Sequence, residues 1–176
     1  YQAQHALDDG RVVGFEALLR WHGTDGLVPP GVFIPVAEDS GLIVGLGAWV
    51  LAEACRQARA WSDAGDGHVT VSVNISPRQF RDPGFMDTVR RVLQETGVQP
   101  ASIELEITEG AMMEDGDAAI AQLHALRNLG LKLAIDDFGT GHASLSYLRR
   151  FPLNRLKIDQ SFVQRLGIHD GDGAIV

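Results

Sequence analysis

The 176-residue sequence contains a single cysteine, Cys55. One thiol excludes an internal disulfide and any thiolate metal cage, and it fits a reducing, cytoplasmic setting. Basic residues are also short: 15 Lys and Arg stand against 23 Asp and Glu, a formal charge of −8. A chain this acidic is a poor partner for a nucleic-acid polymer, although a small phosphate ester can bind if cations sit between it and the acids. No apolar run spans a bilayer, and the longest, around Leu42 to Ala54, is interrupted by Gly45, Gly47 and Glu53. The six histidines lack paired metal-ligand spacing. Gly139-Thr140-Gly141 lacks the third glycine of a dinucleotide fingerprint and the Gly-Lys-Ser/Thr of a P-loop. Ser144 and Ser146 have no evident His partner. An initiating Met is missing too, and the chain stops at Val176 in a Gly/Asp-rich segment, so both ends read as cut from something longer.

What remains is an ordinary globular composition, 45% hydrophobic and 22% charged, at a length suited to one domain over residues 1–176. Tyr1 to Leu7 and Arg11 to Trp21, joined by Asp8-Asp9-Gly10, read as a β-hairpin. After a loop with Pro29 and Pro30, a short helix runs near Ile34 to Ser40 and stops at Gly41. A longer one follows from about Gly45 to Ala64, with Leu46, Val50, Leu51, Ala54, Cys55, Ala58 and Trp61 at three- and four-residue steps. Strands then alternate with helices: His68 to Ser76, Phe85 to Glu95, Ser102 to Thr108, Asp117 to Leu129, Lys132 to Asp137, Ser144 to Arg150, Arg155 to Asp159, and a helix starting at Phe162. Such βαβ units imply a parallel sheet.

The strand faces choose between sheet types. Val69, Val71, Val73 and Ile75 oppose Thr70, Ser72, Asn74 and Ser76; Ile103, Leu105 and Ile107 oppose Glu104, Glu106 and Thr108. Leu156 and Ile158 oppose Arg155, Lys157 and Asp159. Parallel strands covered by helices on both faces are normally apolar throughout. One polar face on strand after strand fits a barrel with a wet, charged lumen, and not an open doubly wound sheet.

At the carboxyl ends of these strands stand Glu16 and Arg20, Asn74, Glu106 with Glu109 just beyond, Asp136 with Asp137, and Lys157. Each has an ordinary explanation: a solvent-facing acid, a strand-ending Asn, a helix cap for Asp137 or Thr140, a surface lysine paired with Asp159. In a βα barrel, however, all of them meet on one rim, where such enzymes build their sites. Carboxylates and an amide oxygen are hard donors, suited to Mg²⁺ or Mn²⁺. Adjacent Asp side chains at a strand end can serve two ions roughly 4 Å apart, an arrangement that supports in-line displacement at phosphorus.

These residues also resemble a known family. Gly14-Phe15-Glu16-Ala17-Leu18-Leu19-Arg20-Trp21 is similar to the signature of the EAL domain, the bacterial cyclic di-GMP phosphodiesterase. The likeness continues through Phe33-Ile34-Pro35-Val36-Ala37-Glu38, Val71-Ser72-Val73-Asn74-Ile75-Ser76 and Glu104-Leu105-Glu106-Ile107-Thr108-Glu109. It ends with Asp136-Asp137-Phe138-Gly139-Thr140-Gly141 and Leu156-Lys157-Ile158-Asp159. The resemblance implies a TIM-like (β/α) barrel with one antiparallel strand, hydrolysing cyclic di-GMP to linear pGpG with Mg²⁺ or Mn²⁺. It implies that Glu16, Asn74, Glu106, Asp136 and Asp137 are metal ligands and that Lys157 orients or deprotonates the attacking water. Gln2 and Arg20 fall at substrate-contacting positions, and Glu109 at the position that anchors the loop after Asp137. The family pattern further implies a homodimer and allows a sensor or cyclase domain upstream. It runs on past Val176 with further strand-helix units carrying another Glu and a Gln, so the barrel is expected to be incomplete at the C-terminus. The alternative reading is an inactive EAL-type receptor that binds the dinucleotide without cleaving it.

Overall fold

The computed structural model of the chain describes residues 1–65, 69–113, 116–139 and 149–165. Six strands make the main sheet: β1 Gln2–His5, β2 Val12–Ala17, β5 Thr70–Ile75, β6 Ile103–Thr108, β7 Lys132–Phe138 and β8 Arg155–Ile158. They lie side by side in that order, β1 antiparallel to β2 and every other neighbour parallel. A flat sheet of six strands would hold its edges about 24 Å apart, five spacings of about 4.8 Å. Instead the Arg155 guanidinium on β8 donates to Gln4 Oε1 on β1 at 2.7 Å. The sheet therefore curls until its first and last strands meet through their side chains. This is a TIM-like barrel wall with one antiparallel strand, incomplete on the C-terminal side.

Helices cover the outside. α1 (Pro30–Ser40) has Pro30 at a first-turn position, where a missing N–H costs nothing, and ends on Gly41 at φ 80°. α2 (Leu42–Asp63) leaves that glycine at 120° to α1 and buries Leu51, Ala54, Cys55 and Ala58. No single helix among the described residues is long and apolar enough to cross a membrane. α3 (Pro77–Phe80) is one turn capped by the Ser76 hydroxyl, which accepts the Arg78 N–H. α4 (Phe85–Thr96) buries Phe85, Val89 and Val92, and α6 (Gly116–Asn128) buries Ala119, Leu123 and Leu126. Against them stand Val71, Val73, Ile75, Ile103, Leu105, Ile107, Leu133 and Ile135, none more than 2% exposed. Each such side chain contributes about 1.5–3 kcal/mol by leaving water. α5 (Glu109–Met113) and α7 (Gln160–Arg165) are short.

Several expectations need correction. The strand read as Arg11 to Trp21 leaves the sheet after Ala17, and Trp21–Gly23 (β3) pairs instead with Gly26–Val28 (β4) in a separate ribbon. Alternation cannot register that exit, because Leu18 and Leu19 are both apolar and both line a cleft. The Trp21 ring packs edge-on against Phe33 of α1, 5.7 Å between centroids. The first helix begins at Pro30 rather than near Ile34, and the second at Leu42 rather than Gly45. Gly47 suits that helix because a Cβ there would sit 2.2 Å from Gln79 Oε1. α5 begins at Glu109, in what reads from sequence as loop. The other boundaries move by one or two residues. The helix expected from Ser144 falls mostly on residues 140–148, outside the described residues, as do Thr140 to Ala143.

Candidate functional site

Parallel strands send alternate side chains inward, so Glu16 (β2), Asn74 (β5), Glu106 (β6), Asp136 (β7) and Lys157 (β8) all reach the lumen at the carboxyl ends. They converge on the Lys157 ammonium. Nζ lies 2.5 Å from Glu106 Oε2, 3.0 Å from Asp136 Oδ2 and 3.6 Å from Glu16 Oε2. Asn74 Nδ2 donates to Glu16 Oε1 at 2.7 Å. Glu106 is only 1% exposed, whereas the Lys157 side chain keeps 23% of its surface.

The adjacent Asp pair is presented by a bulge. Ile135 pairs with Leu156 and Phe138 with Ile158, so Asp136 and Asp137 together face the single residue Lys157. Asp137 takes φ 53°, alone among described non-glycine residues in positive φ. Asp is one of the few side chains that tolerates that left-handed conformation. Its N–H donates to Asp136 Oδ1 at 3.0 Å, which holds the kink. Strained backbone of this kind collects at functional sites.

Charge crowding decides the protonation states. Burial works to lower the Lys157 pKa, but the hydrogen bond and charge of Glu106, then those of Asp136, outweigh it and push it above its ordinary value. Burial raises the Glu106 carboxyl; Lys157 opposes that, and Glu16 and Asp136 add to it. Asp137 is raised by partial desolvation and by the Asp136 and Asp159 charges. Glu106 Oε1 is buried and accepts no hydrogen bond. An orphaned carboxylate oxygen inside a cluster of hard oxygen donors fits a divalent cation. Among the described residues, no three acidic or imidazole groups form a ready-made cage, and the carboxylates close on Lys157 instead.

The remaining candidates sit around this cluster. Gln2 lies opposite Glu16 in the β1–β2 pairing and is exposed. Arg20 is beyond the end of β2 rather than on its pleat; it is exposed and donates to the Leu19 carbonyl at 2.9 Å. With Leu18, Leu19 and Ile34 it lines a cleft of about 310 Å³ that reaches Asn74 and Glu106. Glu109 is 3% exposed, and its Oε2 accepts the Gly139 N–H at 3.0 Å. Sequence reasoning missed the layer beneath the rim: Gln4, Ser72, Glu104 and Arg155. Glu104 shares its strand face with Glu106, and that parity was the available signal.

A family model for the EAL domain matches residues 1–176. The chain belongs to the EAL family. It is 46% identical over its whole length to a bifunctional diguanylate cyclase/cyclic di-GMP phosphodiesterase, MucR, of Pseudomonas aeruginosa, of which it covers 26%. It is 44% identical to the signaling protein YkoW of Bacillus subtilis, covering 96% of this chain and 21% of that one. The chain thus spans about a quarter of the length of these curated EAL relatives. Among solved structures it resembles the MucR phosphodiesterase in complex with c-di-GMP, with a TM-score of 0.95 and 45% identity over 99% of this chain and 71% of that one. It also resembles the EAL enzyme Bd1971 in its cAMP- and cyclic-di-GMP-bound form, with a TM-score of 0.91 and 35% identity, covering 99% of this chain and 49% of that one.

Proposed function

We propose that this EAL domain is a metal-dependent phosphodiesterase that hydrolyses cyclic di-GMP to linear pGpG in bacterial second-messenger signalling. The observation that carries this reading is the convergence of Glu16, Asn74, Glu106, Asp136, Asp137 and Lys157 on one barrel rim. The likeness to a phosphodiesterase solved with c-di-GMP supports the choice of substrate. Glu16, Asn74, Glu106, Asp136 and Asp137 would hold two Mg²⁺ or Mn²⁺ ions. Such ions supply a more acidic water and offset charge on the phosphoryl oxygens. Lys157 stands among three of these carboxylates, within reach of a water held beside them. Its part is to orient the attacking water or to take its proton once cations hold the neighbouring carboxylates. Arg20, which lines the cleft, and Gln2, opposite Glu16 on β1, contact the substrate. Glu109 holds the backbone just beyond Asp137 through Gly139. The parent protein acts as a homodimer, with a sensor or cyclase domain preceding this one.

The test is turnover of cyclic di-GMP by the purified full-length parent protein with Mg²⁺ or Mn²⁺, followed by chromatography of the linear product. Turnover that disappears in Glu16→Ala supports the reading. Tight binding without turnover makes the domain a receptor instead, and absence of both rejects cyclic di-GMP as its ligand.

A further inference from the structure

One turn of pleat below the rim lies a second polar layer. Ser72, Glu104 and Arg155 each precede a rim residue by two positions on the same strand: Asn74, Glu106 and Lys157. Gln4 stands in the same relation to Gln2 on the antiparallel strand. The four side chains close a ring. Arg155 pairs with Glu104 at 3.3 Å, Ser72 Oγ donates to Glu104 Oε1 at 3.1 Å, Gln4 Nε2 donates to Ser72 Oγ at 3.4 Å, and Arg155 returns to Gln4 Oε1 at 2.7 Å. Glu104 is 1% exposed, as buried as Glu106 above it.

The β7–β8 ladder is interrupted at the bulge facing Lys157, so backbone pairing does not bracket that residue directly. Arg155 ties β8 to β6 through Glu104 and to β1 through Gln4. A buried ion pair is not required for stability, since apolar residues of similar volume often serve as well or better. Its place directly beneath Lys157 and Glu106 calls for another reason.

We propose that the Glu104–Arg155 pair is a positioning device for the reaction: it sets β8 so that Lys157 Nζ meets Glu106 and Asp136 at the rim. Neither residue touches the reacting atoms. The proposal rests on the phosphodiesterase reading, and the wild-type protein assayed in parallel separates the two. An error of about 1 Å in a positioned group costs roughly a hundredfold in rate, and loss of outer partners of a site typically costs about 10–100-fold.

The decisive variant is the double Glu104→Leu/Arg155→Met, set beside the single Arg155→Met and assayed with Mg²⁺. The single variant leaves Glu104 uncompensated and melts well below wild type. The double variant is expected to melt close to wild type while kcat stays about 10–100-fold low and KM for cyclic di-GMP is unchanged. Recovery of both melting temperature and kcat in the double variant would overturn the positioning role, as would a loss confined to KM. If the double variant does not fold, Arg155→Lys keeps a charge for Glu104 but lacks the fork that also reaches Gln4. Its kcat is then expected to fall at least about tenfold, and a wild-type kcat there refutes the proposal. A full-length wild-type parent that turns over no cyclic di-GMP rejects the phosphodiesterase reading itself.

Discussion

Replacing Lys157 with Met keeps most of the side chain's volume and deletes one charge. That charge touches Glu106 at 2.5 Å, Asp136 at 3.0 Å and Glu16 at 3.6 Å. Removing one partner from a buried ion pair typically costs about 3–5 kcal/mol, because the other charge is left without compensation. Glu106 is fully buried, but Asp136 and Glu16 keep 20% of their side-chain surface and Lys157 23%, so water recovers part of the loss. The expectation is therefore the lower end, about 3 kcal/mol. For a chain of this length 1 kcal/mol moves the melting temperature by about 2–4 °C, which gives a drop of about 6–12 °C in EDTA. A divalent cation among the same carboxylates supplies the missing charge, so in excess Mn²⁺ the deficit shrinks while turnover stays absent. Differential scanning calorimetry with and without Mn²⁺ measures both. A deficit below about 2 °C in EDTA, or one equally large with and without the metal, would refute the reasoning that Lys157 balances this cluster.

Three further outcomes follow from the same geometry. Gly139→Ala places a Cβ 2.7 Å from the Phe162 ring at a backbone φ of +100°, so it should destabilise by about 1–3 kcal/mol and weaken the Glu109 contact, read as a lower melting temperature. The Glu106 and Asp137 carboxyls are raised in the folded protein, so the fold holds their protons to higher pH than the unfolded chain does. Their contribution to metal-free stability is accordingly present at low pH and is lost as pH rises from the ordinary carboxylate range through the raised values. Because the cation must displace those protons, the thermal shift produced by Mn²⁺ should be small at about pH 4 and grow toward about pH 7; a shift independent of pH contradicts this. Cys55 is fully buried and its thiol is pushed up to about 12, chiefly by burial. It should resist a thiol reagent in the native protein and react only on unfolding, as mass spectrometry of the labelled protein would record.

The repeating β/α pattern, the apolar outer faces of β5 to β8 and the membership of Glu16, Asn74, Glu106, Asp136 and Lys157 in one rim were all legible in the sequence. The pleat has a period of two, and in a parallel barrel every strand presents its carboxyl end on the same side. Sequence signals failed where a local pattern does not record a tertiary event. The departure of the chain from the sheet after Ala17 is one such place, since Leu18-Leu19 reads like more strand. Helix starts at Pro30 and Leu42 are others, because glycine and proline read as punctuation unless the packing around them is known.

Residue types and spacing by themselves settled the chemistry that this chain offers: hard oxygen donors and one lysine at strand ends. Three matters belonged to the tertiary structure alone. The bulge sets Asp136 and Asp137 against one lysine, the ammonium rather than an acid occupies the centre of the cluster, and Arg155 reaches across the lumen to Gln4. The physical reason is one of range. Pleat and helix period act between near neighbours in the chain, whereas Gln4 and Arg155 are 151 residues apart and meet only because the sheet curls.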